Sequence, residues 1–458
     1  MARYTPMIEQ YLEIKEQHQD AILFFRLGDF YEMFFEDAQV ASRELDIVLT
    51  ARDGGDGKVP MCGIPYHAMD NYISRLISKG HKIAICEQVE DPREAKGIVK
   101  REVIRIITPG TVIEDNLLEE YKNNYLVAIV EERNLTGFAY TDISTGEFKV
   151  CEIPGAAAGP QVQNELLRLA PAECLLAEYD SFTREWLDKP EGNMVISPID
   201  EKALNLKNAQ TILTEHFQVA SLEGFGLKGY TAGIQAAAAV ILFLQETQKG
   251  ILRHLRSLSV FNNHAFLELD YTTRRNLELT SSLREGRREG SLLGILDQCC
   301  TAMGKRNLKR WIEQPLKSIV EINTRLNAVE ELKENLSLRS EIREILNGVY
   351  DLERLAAKIG GGIANPRDLL ALKYSVTALV KSKEALQQAG SQLLSHLAGM
   401  DDLQDVYRII DESIDEEAPP GIREGNIIKD GFHSEIDELK QLSRDGSSWL
   451  IDYEGREK

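Results

Sequence analysis

The spacing of apolar and polar positions divides the chain into a mixed first half and a helical second half. Up to about residue 110 both periods occur in short runs. Met7 to Gln17 has helical spacing, and Ala21 to Arg26 reads as a short apolar strand. Asp29 to Asp46 returns to helical spacing, with Asp29 and Glu32 placed as an N-cap and its N3 acid. Thr50–Pro60 reads as a loop, His67–Lys79 as a helix, and His81–Gln88 and Arg101–Ile107 as strands, before Pro109-Gly110 punctuates the chain.

A second block follows. Tyr125–Val130, Gly137–Ile143 and Glu147–Glu152 are β-rich runs with turns at Asn134–Thr136 and Ser144–Gly146. Gly155–Pro160 reads as a surface loop and Gln161–Leu169 as a helix, and strands and helices alternate to about Tyr230. From Ala232 the period is helical: Gln235–Gln248, Thr272–Leu283, Leu292–Leu296, Lys305–Glu313, Ile319–Asn335, Ser340–Asn347, Val349–Ile359, Pro366–Gln388 and Ser391–Leu397, broken at Gly or Pro. His433 to Glu457 begins as an amphipathic helix and stops uncapped, which is expected of a truncated element. The pattern predicts a multidomain α/β plus all-α chain. A small mixed α/β domain spans 1–112, a linker 113–122, a second α/β domain 123–240, a long-helix domain 250–442, and a further element starts at 443–458.

Composition narrows the class. At 458 residues the chain has room for about three domains. No apolar run reaches the roughly 18–20 residues of a membrane span, and the N-terminus lacks a signal-peptide core. Six cysteines, adjacent only at Cys299-Cys300, form no metal-ligand spacing and read as reduced thiols of a cytoplasmic protein. The net charge of −20 argues against nucleic acid as a partner. Charge is local, however. Residues 93–105 carry Arg93, Lys96, Lys100, Arg101 and Arg105 against Glu94 and Glu102, while acid gathers in Asp411–Glu417.

The segment Phe24 to Phe35 (FFRLGDFYEMFF) holds six of the chain's 32 aromatic residues. Periodicity alone allows Phe30 to be a core residue and Glu32 a capping acid. Against this, a Phe in the first helical turn stands at an exposed tip, beside free N–H groups that suit phosphate.

The stretch Gly28-Asp29-Phe30-Tyr31-Glu32-Met33-Phe34 resembles the Phe-x-Glu mismatch-reading motif of the MutS family of bacterial mismatch-repair proteins. The similarity continues through Met61-Cys62-Gly63-Ile64-Pro65-Tyr66-His67-Ala68, Ala84-Ile85-Cys86-Glu87-Gln88 and Arg105–Thr111. It resumes at Thr273–Leu279, Met303-Gly304-Lys305, Leu308–Trp311, Asp351–Arg354 and Arg367-Asp368-Leu369, and so covers essentially the whole chain.

The resemblance implies a mismatch-binding domain, a connector similar to RNase H, a core and lever domain of long helices, and the start of a clamp. It implies that Phe30 wedges into the minor groove beside a mispaired or unpaired base, and that Glu32 hydrogen-bonds that base. A carboxylate placed near phosphates must meet a base donor or carry a proton itself. Arg52, Lys58, Lys79, Lys100, Arg101 and Arg105 are candidate phosphate contacts, with Tyr66 and His67 beside them. The implied partners are duplex DNA with mismatches or small insertion/deletion loops, a second copy of the chain, and a MutL-type repair protein.

ATP and Mg belong to the full-length family. Neither Gly57-Lys58 nor Gly304-Lys305 builds a GxxxxGK[ST] cradle, since Arg52 and Cys299 hold the upstream glycine positions and Val59 and Arg306 follow the lysines. No cofactor and no enzymatic activity is therefore expected of this stretch. Two rival readings are a nuclease on the middle domain, with Asp142, Glu165 and Glu173 as its carboxylates, and a DNA-structure-binding scaffold without mismatch sensing.

Overall fold

The computed structural model describes residues 4–55, 57–90, 97–155, 158–177, 194–249, 252–261 and 265–442. Arg93, Lys96 and the segment 443–458 lie outside them. The chain forms two compact units. The first comprises residues 1–297, 306–315 and 356–362, the second 298–305, 316–355 and 363–458.

The first unit is built on two mixed six-stranded sheets. Sheet one contains β1 (Ala21–Leu27), β2 (Phe30–Phe34), β3 (Thr50–Asp53), β4 (Lys58–Pro65), β5 (Lys82–Gln88) and β6 (Arg101–Ile107), in the order β3-β4-β2-β1-β5-β6. Only the β1–β5 pair is parallel. Alternation along β1 sends Leu23 and Phe25 to one face and Ile22 and Phe24 to the other. The first face meets Ile8 and Tyr11 of α1 (Pro6–Gln17). The second meets Ala38, Ala41 and Leu45 of α2 (Phe35–Leu45) and Ile73 and Leu76 of α3 (Met69–Ile77). Buried Asp37 ties α1 to the sheet, accepting from the Tyr11 hydroxyl at 2.7 Å, Lys15 Nζ at 2.9 Å and the Leu23 amide at 3.0 Å.

The expected helix from Asp29 to Asp46 is thus a strand followed by a helix, and the Asp29/Glu32 capping pair does not exist. Tertiary pairing overrides the helical spacing, because Phe30–Phe34 lies between β1 and β4 and takes hydrogen bonds from both sides. Thr50–Pro60, expected as a loop, is mostly the β3–β4 hairpin.

Sheet two runs β11-β10-β7-β8-β9-β12, from β7 (Leu126–Glu132), β8 (Leu135–Asp142), β9 (Glu147–Pro154), β10 (Glu173–Leu176), β11 (Val195–Pro198) and β12 (Ser259–Val260). The helix Ala232–Gln248 is apolar on nearly every side and is buried against β7, β8 and β9. It approaches so closely at Gly137 that a Cβ there would lie 2.0 Å from the Ala232 carbonyl oxygen. The expected loop Gly155–Pro160 already begins a helix at Ala158. The helix expected over Thr272–Leu283 is the shorter Tyr271–Asn276, since the chain turns at Leu277 and Glu278 takes a positive φ.

The two sheets are joined through buried polar contacts. Glu173 accepts from the Gly110 amide at 3.0 Å, from the Ser197 hydroxyl at 2.5 Å and from the Thr108 hydroxyl. At the C-terminal end of the buried helix, Gln248 accepts from Arg105 Nε at 2.8 Å and donates to the Ile106 carbonyl at 3.2 Å. Lys249 Nζ donates to the Val103 carbonyl. These two side chains take two backbone carbonyls of the edge strand β6.

The second unit is helical: Ile319–Glu334, Leu336–Leu346, Pro366–Leu386, Gln392–Ala398 and Gln404–Ser413, the last not foreseen from the sequence. Side chains of Ser318, Asn335 and Asn365 cap the first three, and Pro366 opens the longest. Ala328, Leu338, Leu386 and Leu394 form one small core, and Leu370, Ile410, Ile414 and Ala418 another.

Candidate nucleic-acid interface

Phe30 stands at the tip of a tight hairpin. The register pairs Leu27 with Phe30, leaving Gly28 and Asp29 as a two-residue turn. Gly28 takes a φ of +57°, which a glycine adopts without strain. Gly28, Asp29 and Phe30 are all exposed, and the Phe30 side chain has no place in either core; 48% of the residue meets solvent. The neighbours do the opposite: Tyr31 and Met33 are buried beneath α2 and α3, and Phe34 packs on Tyr11.

The strand sets Phe30 and Glu32, the two candidate residues, on one face with Tyr31 between them turned the other way. On a helix, residues two apart face different ways. On β2, Phe30 and Glu32 share a face about 7 Å apart along the strand. Glu32 lies opposite Gly63, and its Oε2 accepts from Arg52 Nη1 on β3. The Glu32 side chain is only 14% exposed, whereas Arg52 remains 41% exposed.

The base of the hairpin is tied down. Arg26, which the sequence reading overlooked, donates from Nε to the Gly28 carbonyl at 2.6 Å and from Nη1 to Glu87 at 3.4 Å. Its guanidinium lies 3.8 Å from the Tyr66 ring centroid. The Tyr66 amide in turn donates to the Asp29 carbonyl at 3.0 Å. The Tyr31 hydroxyl donates to Glu87; burial, then this carboxylate, pushes its pKa up. The signal for Arg26 was present in the register, since pairing the runs on either side of Gly28-Asp29 sets Arg26 opposite Tyr31.

The remaining candidates divide. Tyr66 and His67 are exposed beside the tip, with rings 5.8 Å apart. Lys58 is exposed at the end of β4 away from Pro65, the residue paired with Phe30. Lys79 is exposed beyond α3 and bonded to Glu44, and Lys100 pairs with Glu102 at 2.6 Å. Arg101 is turned inward: it is buried, donates to the carbonyls of Arg26 and Val99 and to the Gln10 side chain, and covers the Phe25 ring. Arg105 spends its guanidinium on Glu114, Gln248 and the Thr111 carbonyl. Both arginines brace the fold, a correction to their expected place on the surface. A stretch rich in Lys and Arg says nothing about which residues face out, and strand alternation buries Arg101 and Val103 together.

The carboxylates of the nuclease reading are committed to structure. Asp142 is buried and accepts from the Asn123 side chain at 2.8 Å, the Asn124 amide at 3.2 Å, and the Ser144 amide and hydroxyl at 2.9 and 2.7 Å. Glu165 pairs with Arg168 at 2.6 Å, and Glu173 is the buried latch between the sheets. Among the described residues no three such groups come together as ligands for an ion. No helix among the described residues is long and apolar enough to cross a membrane.

What the first unit presents is a protein class: an anchored hairpin that holds one bare aromatic ring, with a carboxylate behind it, at the end of a sheet. Three models of one family match the chain in order, MutS domain I over residues 5–116, domain II over 124–256 and domain III over 272–451, and the chain belongs to the MutS family. It is 60% identical, over its whole length, to the DNA mismatch repair protein MutS of Syntrophomonas wolfei, covering 54% of that protein. The proteins of the same name from Pelotomaculum thermopropionicum and Halothermothrix orenii are 48% and 46% identical over 99% and 100% of this chain. The chain covers 53% and 51% of those two, and so spans about half the length of these curated relatives.

Proposed function

We propose that this chain reads mispaired or unpaired bases in duplex DNA as the first step of mismatch repair. The observation that carries the reading is the bare Phe30 ring at the hairpin tip, with Glu32 on the same strand face. Phe30 enters the minor groove and stacks on a base; Glu32 hydrogen-bonds the base so displaced. Stacking on an aromatic ring contributes about 1–3 kcal/mol. Prising a step apart costs a few kcal/mol. At a sound pair the cost exceeds the gain, whereas at a mispair the stack is already weak and the two nearly cancel. Discrimination then comes from how cheaply a step deforms rather than from its hydrogen-bonding edges.

Arg52, Tyr66, His67 and Lys100 are exposed side chains that would meet the DNA near the tip, Lys58 and Lys79 would meet it farther from the tip, and Arg101 and Arg105 are withdrawn from that role. The remaining length of the protein would supply ATP and Mg chemistry. The partners are a second copy of the chain and a MutL-type protein, and the setting is the bacterial cytoplasm. The exposure of Phe30 favours this reading over a scaffold that binds DNA without sensing mismatches. The middle domain, which the resemblance likens to RNase H, would act as connector rather than nuclease. The test is a titration of fluorescently labelled duplexes, matched or carrying a G·T pair or one unpaired thymine, at two salt concentrations. Tighter binding of the mispaired duplexes, with the preference surviving a rise in salt that weakens all three, is expected. Equal affinities for all three duplexes would refute the reading.

A further inference from the structure

We propose that Arg52 is a positioning residue for Glu32, holding its carboxyl group in one orientation before any base arrives; this rests on the function proposed above. Among the described residues, Arg52 is the one donor to the Glu32 side chain, and Glu32 is the one acceptor of the Arg52 guanidinium. Arg52 takes only Oε2. The other oxygen, Oε1, accepts from no described residue.

The two side chains meet across β4, where Gly63 lies opposite Glu32 and Val59 opposite Arg52. A Cβ at Gly63 would sit 3.5 Å from Glu32 Cγ, so the Glu32 side chain lies against the place where any larger residue would project. Arg52 comes from β3, an edge strand of sheet one whose four residues are all exposed. It is therefore anchored by the sheet yet open on its outer side.

One chemical consequence follows. A carboxylate facing phosphates is repelled by them, and the guanidinium removes that charge conflict at its source. Glu32 then meets a base group, such as the imino N–H of an unpaired thymine, through the oxygen that Arg52 does not hold. Arg52 leaves Oε1 aimed and unoccupied for that bond.

A plain phosphate contact by Arg52 predicts something different. It would lower the affinity for matched and mismatched duplexes by the same factor and leave their ratio intact. The positioning role acts on the ratio.

The test is a double-mutant cycle in the protein at full length, using a matched duplex and one with a single unpaired thymine. Arg52→Ala should cut the discrimination ratio roughly tenfold, the scale of one hydrogen bond to a charged group. Glu32→Ala should cut it by a similar factor, the double variant by no more than either single, and Arg52→Lys should recover part of it. Replacing the unpaired thymine by N3-methylthymine should erase the difference between parent and Arg52→Ala. An unchanged ratio in Arg52→Ala with uniformly weaker binding, or additive losses in the double variant, would overturn the proposal while leaving the Phe30 wedge standing. Loss of discrimination in Arg52→Ala with no loss in Glu32→Ala would also overturn it. If the parent itself shows no discrimination, the failure belongs to the underlying function instead.

Discussion

Removing Glu173 tests whether the two sheets are held together by a closed polar latch. The carboxylate is shut off from solvent and accepts three hydrogen bonds, from Thr108, Gly110 and Ser197. Glu173→Ala leaves the buried Gly110 amide and Ser197 hydroxyl without this acceptor and the Thr108 hydroxyl with only Thr111 beside it. At about 1 kcal/mol or more for each, with a small cavity added, the loss comes to about 3–5 kcal/mol. Glu173→Gln keeps the shape and one acceptor oxygen, and the Ser197 hydroxyl can rotate to accept from the new amide, so the loss should be about 1 kcal/mol.

Titration separates the two variants further. Burial raises the Glu173 pKa, against the opposing pull of its three donors. The folded chain therefore takes up a proton at a higher pH than the unfolded chain does. Stability falls as pH rises from the ordinary carboxylate value through the raised folded value, and returns on acidification. Glu173→Gln cannot titrate, so the parent should gain on it as pH drops from neutral through that window. Urea unfolding of all three proteins at several pH values, followed by circular dichroism, measures both effects. An Ala variant within 1 kcal/mol of the parent would refute the latch, and a parent that loses ground to Gln on acidification would refute the sign.

Other expectations are more local. Gly137→Ala drives a methyl into the Ala232 backbone and should cost about 3 kcal/mol or more, read as an early urea transition; a neutral result would mean the helix can stand off the sheet. Arg101→Met should lower stability by about 2–4 kcal/mol through the loss of its buried hydrogen bonds, while the ratio of mismatched to matched DNA affinity stays at the parent's value. A stable Arg101→Met protein with weakened DNA binding would return Arg101 to the surface role first expected of it.

Much of this was legible in the residues, and the misreadings have physical causes. β6 was placed at Arg101–Ile107, and the three strands of the second block were found within two residues at each end, because β6 and β9 alternate in part and β7 and β8 are short β-rich runs bounded by turn residues. The Phe30 segment was read as a helix because Asp29 and Glu32 mimic a capping pair and Phe30 and Phe34 are four apart. Its strand character depends on β4, some thirty residues later, which a local window does not contain. The cue available was Gly28-Asp29, two turn residues between two aromatic runs. The tip position of Phe30 was anticipated for a different reason, a helix end in place of a hairpin turn. The Arg52–Glu32 pair was beyond reach, since its partners meet only across β4, which pairs with β3 on one side and β2 on the other.

The account depends most on what the Phe30 ring does. The direct measurement is the affinity of Phe30→Ala, beside the parent, for a matched duplex and for one with a single unpaired thymine. Loss of one stacked ring should cut the preference about 10- to 100-fold, toward parity, while weak, salt-sensitive binding to matched DNA persists. A variant that folds normally and still prefers the mismatched duplex as strongly as the parent would contradict it.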